Sequence, residues 1–140
     1  MLSLAAAMHR ERVVVYVTRG TELLVFEHRD HPDAGTQVPA GGVQTDEQLE
    51  DAVIREVFEE TGLLLAGRPS FLGTHDHLDG LGRPARSSFF RIEAPRSTRD
   101  GWEHTVTGDG EDRGLVFLCR FEPHPHLHET QSRFWAGGRR

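Results

Sequence analysis

The stretch from Gly41 to Leu63, GGVQTDEQLEDAVIREVFEETGL, constrains this chain more tightly than any other. Two glycines open it, a run free of glycine and proline continues to Thr61, and Gly62 closes it. Thr45 with Gln48 reads as a capping box, so the helix is predicted from about Asp46 to Thr61. Gly62 suits the left-handed position just past a helix end. At about 100° per residue, Glu56, Glu59 and Glu60 gather on one side of the last turns. Val53, Ile54, Val57 and Phe58 fall on the other side, which predicts a core face and an acidic face.

The acids are badly placed for helix stability. Glu56 and Glu60 are a like-charge i, i+4 pair, worth a few tenths of a kcal/mol against the helix. All three lie near the C-terminus, where the macrodipole disfavours negative charge by roughly 0.3–1 kcal/mol each. A bound divalent cation would reverse both penalties. The plain alternative is a solvated acidic face, and three glutamates behind a Gly-Gly loop argue against it. Carboxylates with no cysteine or histidine beside them favour a hard cation such as Mg²⁺, with Mn²⁺ as a substitute.

The residues spell G-x5-E-x7-R-E-U-x-E-E-x-G-U, with U a bulky aliphatic, filled by Gly41, Glu47, Arg55, Glu56, Val57, Glu59, Glu60, Gly62 and Leu63. In this the chain resembles the Nudix hydrolases. The resemblance implies an α/β/α sandwich, a mixed β-sheet flanked by the motif helix and a C-terminal helix. It also implies one domain over residues 1–140, with about 1–10 and 137–140 as tails. The implied activity is a metal-dependent pyrophosphohydrolase. Water attacks phosphorus in a nucleoside diphosphate linked to a group X, giving a nucleoside monophosphate and phosphorylated X. The resemblance makes Glu56 and Glu60 the principal metal ligands and Glu59 a ligand or water-activating base. It adds the carbonyl of Ala40 as a candidate ligand. Glu47 and Arg55, about 80° apart on a helical wheel, are expected to orient the carboxylates; otherwise they are an ordinary ion pair of little worth.

Relatives often take their general base from a later loop. Glu111 in GDGEDR is the first candidate, then Glu103, with Asp109 and Asp112 behind them. Arg83, Arg86 and Arg113 are candidate substrate phosphate contacts, each with plain surface exposure as its alternative. An alternative function is a non-catalytic Nudix-fold nucleotide-sensing or scaffold domain. Its usual mark is a broken glutamate set, and here the set is intact. Signatures that name a substrate are missing: no proline lies about fifteen residues past the motif, no tyrosine follows Tyr16, and there is no SQPWPFPxS run.

Composition narrows the partners. A net charge of −6 disfavours a nucleic-acid duplex, which needs a basic stripe. A small nucleotide fits, met by local arginines and a metal. All 16 basic residues are arginine, so P-loop and Schiff-base lysine chemistry is excluded. The lone Cys119 in an apolar run reads as a buried hydrophobe, and one cysteine forms no internal disulfide. Met1 to Met8 is too short to serve as a signal segment or span a membrane, which predicts a cytoplasmic protein. Homodimerisation is an expectation by analogy with relatives.

Arg12–Thr18 and Glu22–Glu27 are apolar runs around Arg19-Gly20, predicting a hairpin of strands buried on both faces. Further strands are predicted at Phe71–His77, Ser87–Ala94, Trp102–Val106 and Leu115–Phe121, and a short helix at His128–Ala136. His75 with His77, and His124 with His126 and His128, have spacing that can bind Zn²⁺, but no fourth ligand completes a site. Trp102, Phe89 and Phe90 could stack on a base, with core packing the commoner use of each.

Overall fold

The computed structural model of the chain describes residues 10–124. Seven strands form one mixed sheet: β1 (Arg10–Arg19), β2 (Glu22–His28), β3 (Ala40–Gly42), β4 (Ser70–Leu78), β5 (Pro84–Glu93), β6 (Gly101–Thr105) and β7 (Val116–Pro123). Among the described residues one α-helix, α1 (Leu49–Thr61), packs against it, and Pro32–Ala34 form a single 3-10 turn. The strand order is β4-β5-β1-β2-β7-β6, with β3 added to β1. The helix expected at His128–Ala136 lies outside the described residues.

β1 is the axis of the fold. One edge pairs in parallel with β5 from Arg10↔Ala85 to Thr18↔Glu93. Its other edge is shared. Residues 12–14 pair with β3, and only Thr18 and Arg19 pair with β2. The predicted hairpin therefore exists at its turn alone, because β3 occupies the rest of the edge and β2 turns away to pair with β7. That divergence brings β3 and the loop after it beside α1.

Both faces of β1 are buried, as the unbroken apolar run predicts. Val13, Val15 and Val17 join Ala52, Val53 and Val57 of α1, with Phe26 and Phe117, in the larger core cluster. Val14 and Tyr16 join Leu23, Val25 and Val38 on the opposite face. Fully burying each such side chain is worth about 1.5–3 kcal/mol. Cys119 is buried in the larger cluster, and burial pushes its thiol up to about 12. Among the described residues no helix is long and apolar enough to cross a membrane.

α1 starts later than the sequence predicts. Gln48 is the N-cap, in extended geometry with no side-chain cap bond, and Asp46 has φ +65°. Residues 44–48 therefore form a loop, and the Thr45–Gln48 capping box is not made. Glu50 and Asp51 in the first turn complement the positive end of the helix instead. At the other end Gly62 is left-handed, φ +81°, and its N–H donates to the carbonyl of Phe58, as predicted.

Candidate functional site

The buried stripe of α1 is Ala52, Val53, Glu56, Val57, Glu60 and Thr61, a 3.6-residue periodicity that includes two acids. Glu56 is 7% exposed and Glu60 6%, whereas Phe58 is 44% exposed. This corrects the expected division of faces. Glu56 and Glu60 lie under β3 and its loop beside Val53 and Val57, which are buried as expected, while Phe58 faces solvent with Glu50 and Asp51.

Glycines let the backbone close over the carboxylates. A Cβ on Gly41 would stand 2.2 Å from the carboxyl carbon of Glu56, and one on Gly108 2.4 Å from that of Glu59. Gly108 also has φ +91°, which side chains resist. The N–H of Ala40 donates to Glu60 Oε1 at 3.0 Å. Three carboxylates from one helix are thus approached by the β3 loop on one side and the β6–β7 connection on the other.

Arg55 joins them. Its Nε donates to Glu47 Oε2 (2.8 Å), and Nη2 donates to Glu47 Oε1 (2.9 Å) and the Gly42 carbonyl (2.8 Å). Nη1 donates to Glu56 Oε2 (2.9 Å) and Glu59 Oε1 (3.3 Å). Five N–H groups meet five acceptors, the full capacity of a guanidinium. Glu47 is not on the helix, so the expected angular separation gives way to a fork-to-fork pair between loop and helix. The Gln44 N–H helps aim it, donating to Glu47 Oε1 at 2.9 Å.

The electrostatics are uneven. Burial raises the Glu56 carboxyl to about 7, against the opposing pull of Arg55. Burial also raises Glu60 well above the ordinary carboxylate range, and the neighbouring Glu56 adds to it. Glu47, hydrogen-bonded by Arg55, is lowered instead. The helix end beneath these acids is held from β6 onward. Trp102 Nε1 donates to the Thr61 carbonyl (2.7 Å), while His104 Nε2 and the Thr107 N–H donate to the Glu59 carbonyl (3.0 Å each). A carbonyl only accepts, so His104 carries its proton on Nε2. Trp102 is thereby used in packing and capping, and Phe90 is buried in the core.

The three glutamates open onto a cavity of about 440 Å³. Ala40, Arg55, Asp109, Glu111 and Asp112 line it too, so the GDGEDR turn faces the glutamates. Glu103 does not line it; its carboxylate stands 3.8 Å from Arg29. Arg83 is paired with Asp79 (2.9 Å) and Arg86 with Asp76 (2.6 Å), and neither they nor Arg113 line the cavity. The cations that do, besides Arg55, are Arg10 and Arg12. Sequence reading passed over these two. The available signal was two basic residues at i, i+2 opening an otherwise apolar strand, which places both on one face. His75 and His77 stack with ring centroids 5.5 Å apart, and His77 Nε2 lies 2.8 Å from Ser87 Oγ.

Among the described residues, no three His, Cys, Asp or Glu groups are gathered into a ready metal cage. The donor set still suits a hard cation: three carboxylates line one cavity, two of them raised by burial and crowding. Mg²⁺ is commonly held by one or two carboxylates, with water and substrate phosphates completing its shell.

The chain matches the NUDIX domain family over residues 8–135. It is 46% identical over 54 residues to an NAD-capped RNA hydrolase NudC from Haemophilus influenzae strain PittEE, covering 36% of this chain. The match covers 20% of the relative, so the chain spans about a fifth of the length of the curated relatives it matches. Among solved structures, a MutT NUDIX hydrolase from Burkholderia pseudomallei aligns with TM-score 0.58 and 24% identity, covering 94% of this chain and 99% of that one. A NUDIX hydrolase from Nitrosomonas europaea aligns with TM-score 0.58 and 18% identity, covering 94% and 91%.

Proposed function

The chain belongs to the Nudix hydrolase family, and from that premise we propose that it is a metal-dependent pyrophosphohydrolase of nucleoside diphosphates linked to a second group X. The observation that carries the proposal is the trio of buried Glu56 and Glu60 with half-buried Glu59, Arg55 bonded to Glu56 and Glu59, on the wall of a cavity faced by the GDGEDR turn.

Glu56, Glu60 and the Ala40 carbonyl would hold Mg²⁺ or Mn²⁺, with Glu59 as a further ligand or as the base. The cation would neutralise phosphate charge and lower the pKa of water. Arg55 holds Glu56 and Glu59 in place by donating a hydrogen bond to each. Glu111, across the cavity, is assigned the proton of the attacking water, with Asp109 and Asp112 beside it as alternatives. The new P–O bond forms as the phosphoanhydride bond breaks, leaving a nucleoside monophosphate and phosphorylated X. Its partner is a small nucleotide, and its setting is the cytoplasm. The relative's printed substrate, NAD-capped RNA, belongs in the substrate panel.

The test is mononucleotide release with Mg²⁺ from a panel of nucleotide-X compounds, NADH and NAD-capped RNA included. The wild type turns over at least one, and Glu60→Gln loses that activity by orders of magnitude. Activity that survives the substitution removes the assignment of Glu60. No turnover across the panel favours a sensor domain.

A further inference from the structure

The cavity needs a cation to meet the substrate's phosphates, and two of the three arginines that line it are already paired. The chain has no lysine, so guanidinium groups are the only permanent cations available. All five N–H groups of Arg55 are engaged by protein acceptors, so it could reach a phosphate only by releasing a glutamate. Arg10 is half-exposed and paired with Asp79 at 3.3 Å. Arg83 and Arg86 are paired outside the cavity.

Arg12 differs from all of these. It lies at the start of β1, opposite Gly42 of β3, and lines the same cavity as Glu56 and Glu60. It is half-buried, and among the described residues no carboxylate lies within ion-pair distance of it. A planar guanidinium with uncommitted donors, facing an anionic ligand's cavity, suits bidentate phosphate binding.

We propose that Arg12 is a substrate-binding residue, donating to the non-bridging oxygens of the diphosphate from the wall formed by β1 and β3. This rests on the pyrophosphohydrolase reading and adds to it the group that recognises phosphate. Arg12 contacts the ligand's charge in ground state and transition state alike, so its loss falls chiefly on KM.

The experiment compares wild type, Arg12→Gln, Arg12→Lys and Arg10→Gln. Arg12→Gln keeps length and polarity at a partly exposed strand position, so folding is preserved, and melting temperature checks this. The best substrate from the panel gives kcat and KM; calorimetry with magnesium pyrophosphate gives binding apart from turnover. The expected result for Arg12→Gln is a KM raised about 10–100-fold, with pyrophosphate binding weakened to a similar degree, since a charge-assisted bond to phosphate is worth about 1.5–3 kcal/mol. Arg12→Lys recovers part of the loss, and Arg10→Gln changes either value less than about threefold. An Arg12→Gln protein with wild-type KM and wild-type pyrophosphate affinity overturns the proposal. So does a loss in Arg12→Gln that appears only as a lowered melting temperature. Failure of the wild type to turn over any substrate refutes the pyrophosphohydrolase reading instead, and the calorimetric comparison still decides Arg12.

Discussion

Replacing Glu56 with glutamine should stabilise the metal-free protein at pH 8 and do so far less at pH 5. Burial sets the Glu56 carboxyl at about 7 in the folded chain against an ordinary 4.5. Between those values the folded state binds more protons than the unfolded state, so stability falls as pH rises through the window. Above pH 7 the ionised carboxylate costs the fold about 3 kcal/mol by that displacement, at 1.36 kcal/mol for each tenfold change. Glutamine is nearly isosteric, stays neutral, and keeps an oxygen to accept from Arg55 Nη1, now 2.9 Å away. Allowing for relaxation around the ionised group, the gain at pH 8 is about 1–3 kcal/mol, which is about 3–10 °C in melting temperature for a domain of this size. Calorimetric or circular-dichroism melts of both proteins in chelator at pH 5 and pH 8 measure it. Equal differences at the two pH values, or a variant less stable at pH 8, refute the reasoning, because they mean that ionised Glu56 is not penalised by its surroundings.

Other substitutions test separate parts of the site. Glu59→Gln and Glu60→Gln should each lower kcat by orders of magnitude without lowering the melting temperature, since removing a crowded like charge is neutral or stabilising; paired kinetics and melts check this. Glu47→Ala leaves two Arg55 donors without their carboxylate. It should cost about 1–3 kcal/mol of stability as well as activity, and a variant with wild-type kcat and melting temperature contradicts the bracing role of the pair. Gly108→Ala combines φ +91° with a Cβ 2.4 Å from the Glu59 carboxyl carbon. It should depress kcat more strongly than the same change at Gly110, where a Cβ meets nothing within 4 Å.

The motif helix was legible because its end signals and its acids are local. Gly62 closes it as read, and Glu47, Arg55, Glu56 and Glu59 are joined as neighbours. The helix start was not legible, since Glu47 is drawn out of helical geometry by Arg55, a contact that a propensity reading does not weigh. Nor was the burial of Glu56 and Glu60. Hydrophobic periodicity assigns acids to the solvent side, whereas here the Gly41 and Ala40 backbone and the metal-suited pocket claim that stripe. The four later strands were read from their β-branched and aromatic content, β4 and β6 to within one residue at each end, β7 to within two and β5 to within three. The partial β1–β2 hairpin escaped notice because β3, only three residues long, competes for the same edge. The arginines in the cavity were missed for the same reason: β1 and β3 pair across about thirty residues of sequence, and only that pairing sets Arg12 beside the glutamates.

Direct binding of Mn²⁺, followed by the loss of its free electron-paramagnetic-resonance signal at pH 8, tests the central claim. Titrations with and without a non-hydrolysable methylene-bridged nucleotide diphosphate compare the wild type with the Glu56→Gln, Glu60→Gln double variant. The wild type should take up the ion, more tightly with the nucleotide present, and the double variant should take up little in either case. Equal uptake by the two proteins, or none by the wild type even with the nucleotide, contradicts the assignment of these buried acids to a metal.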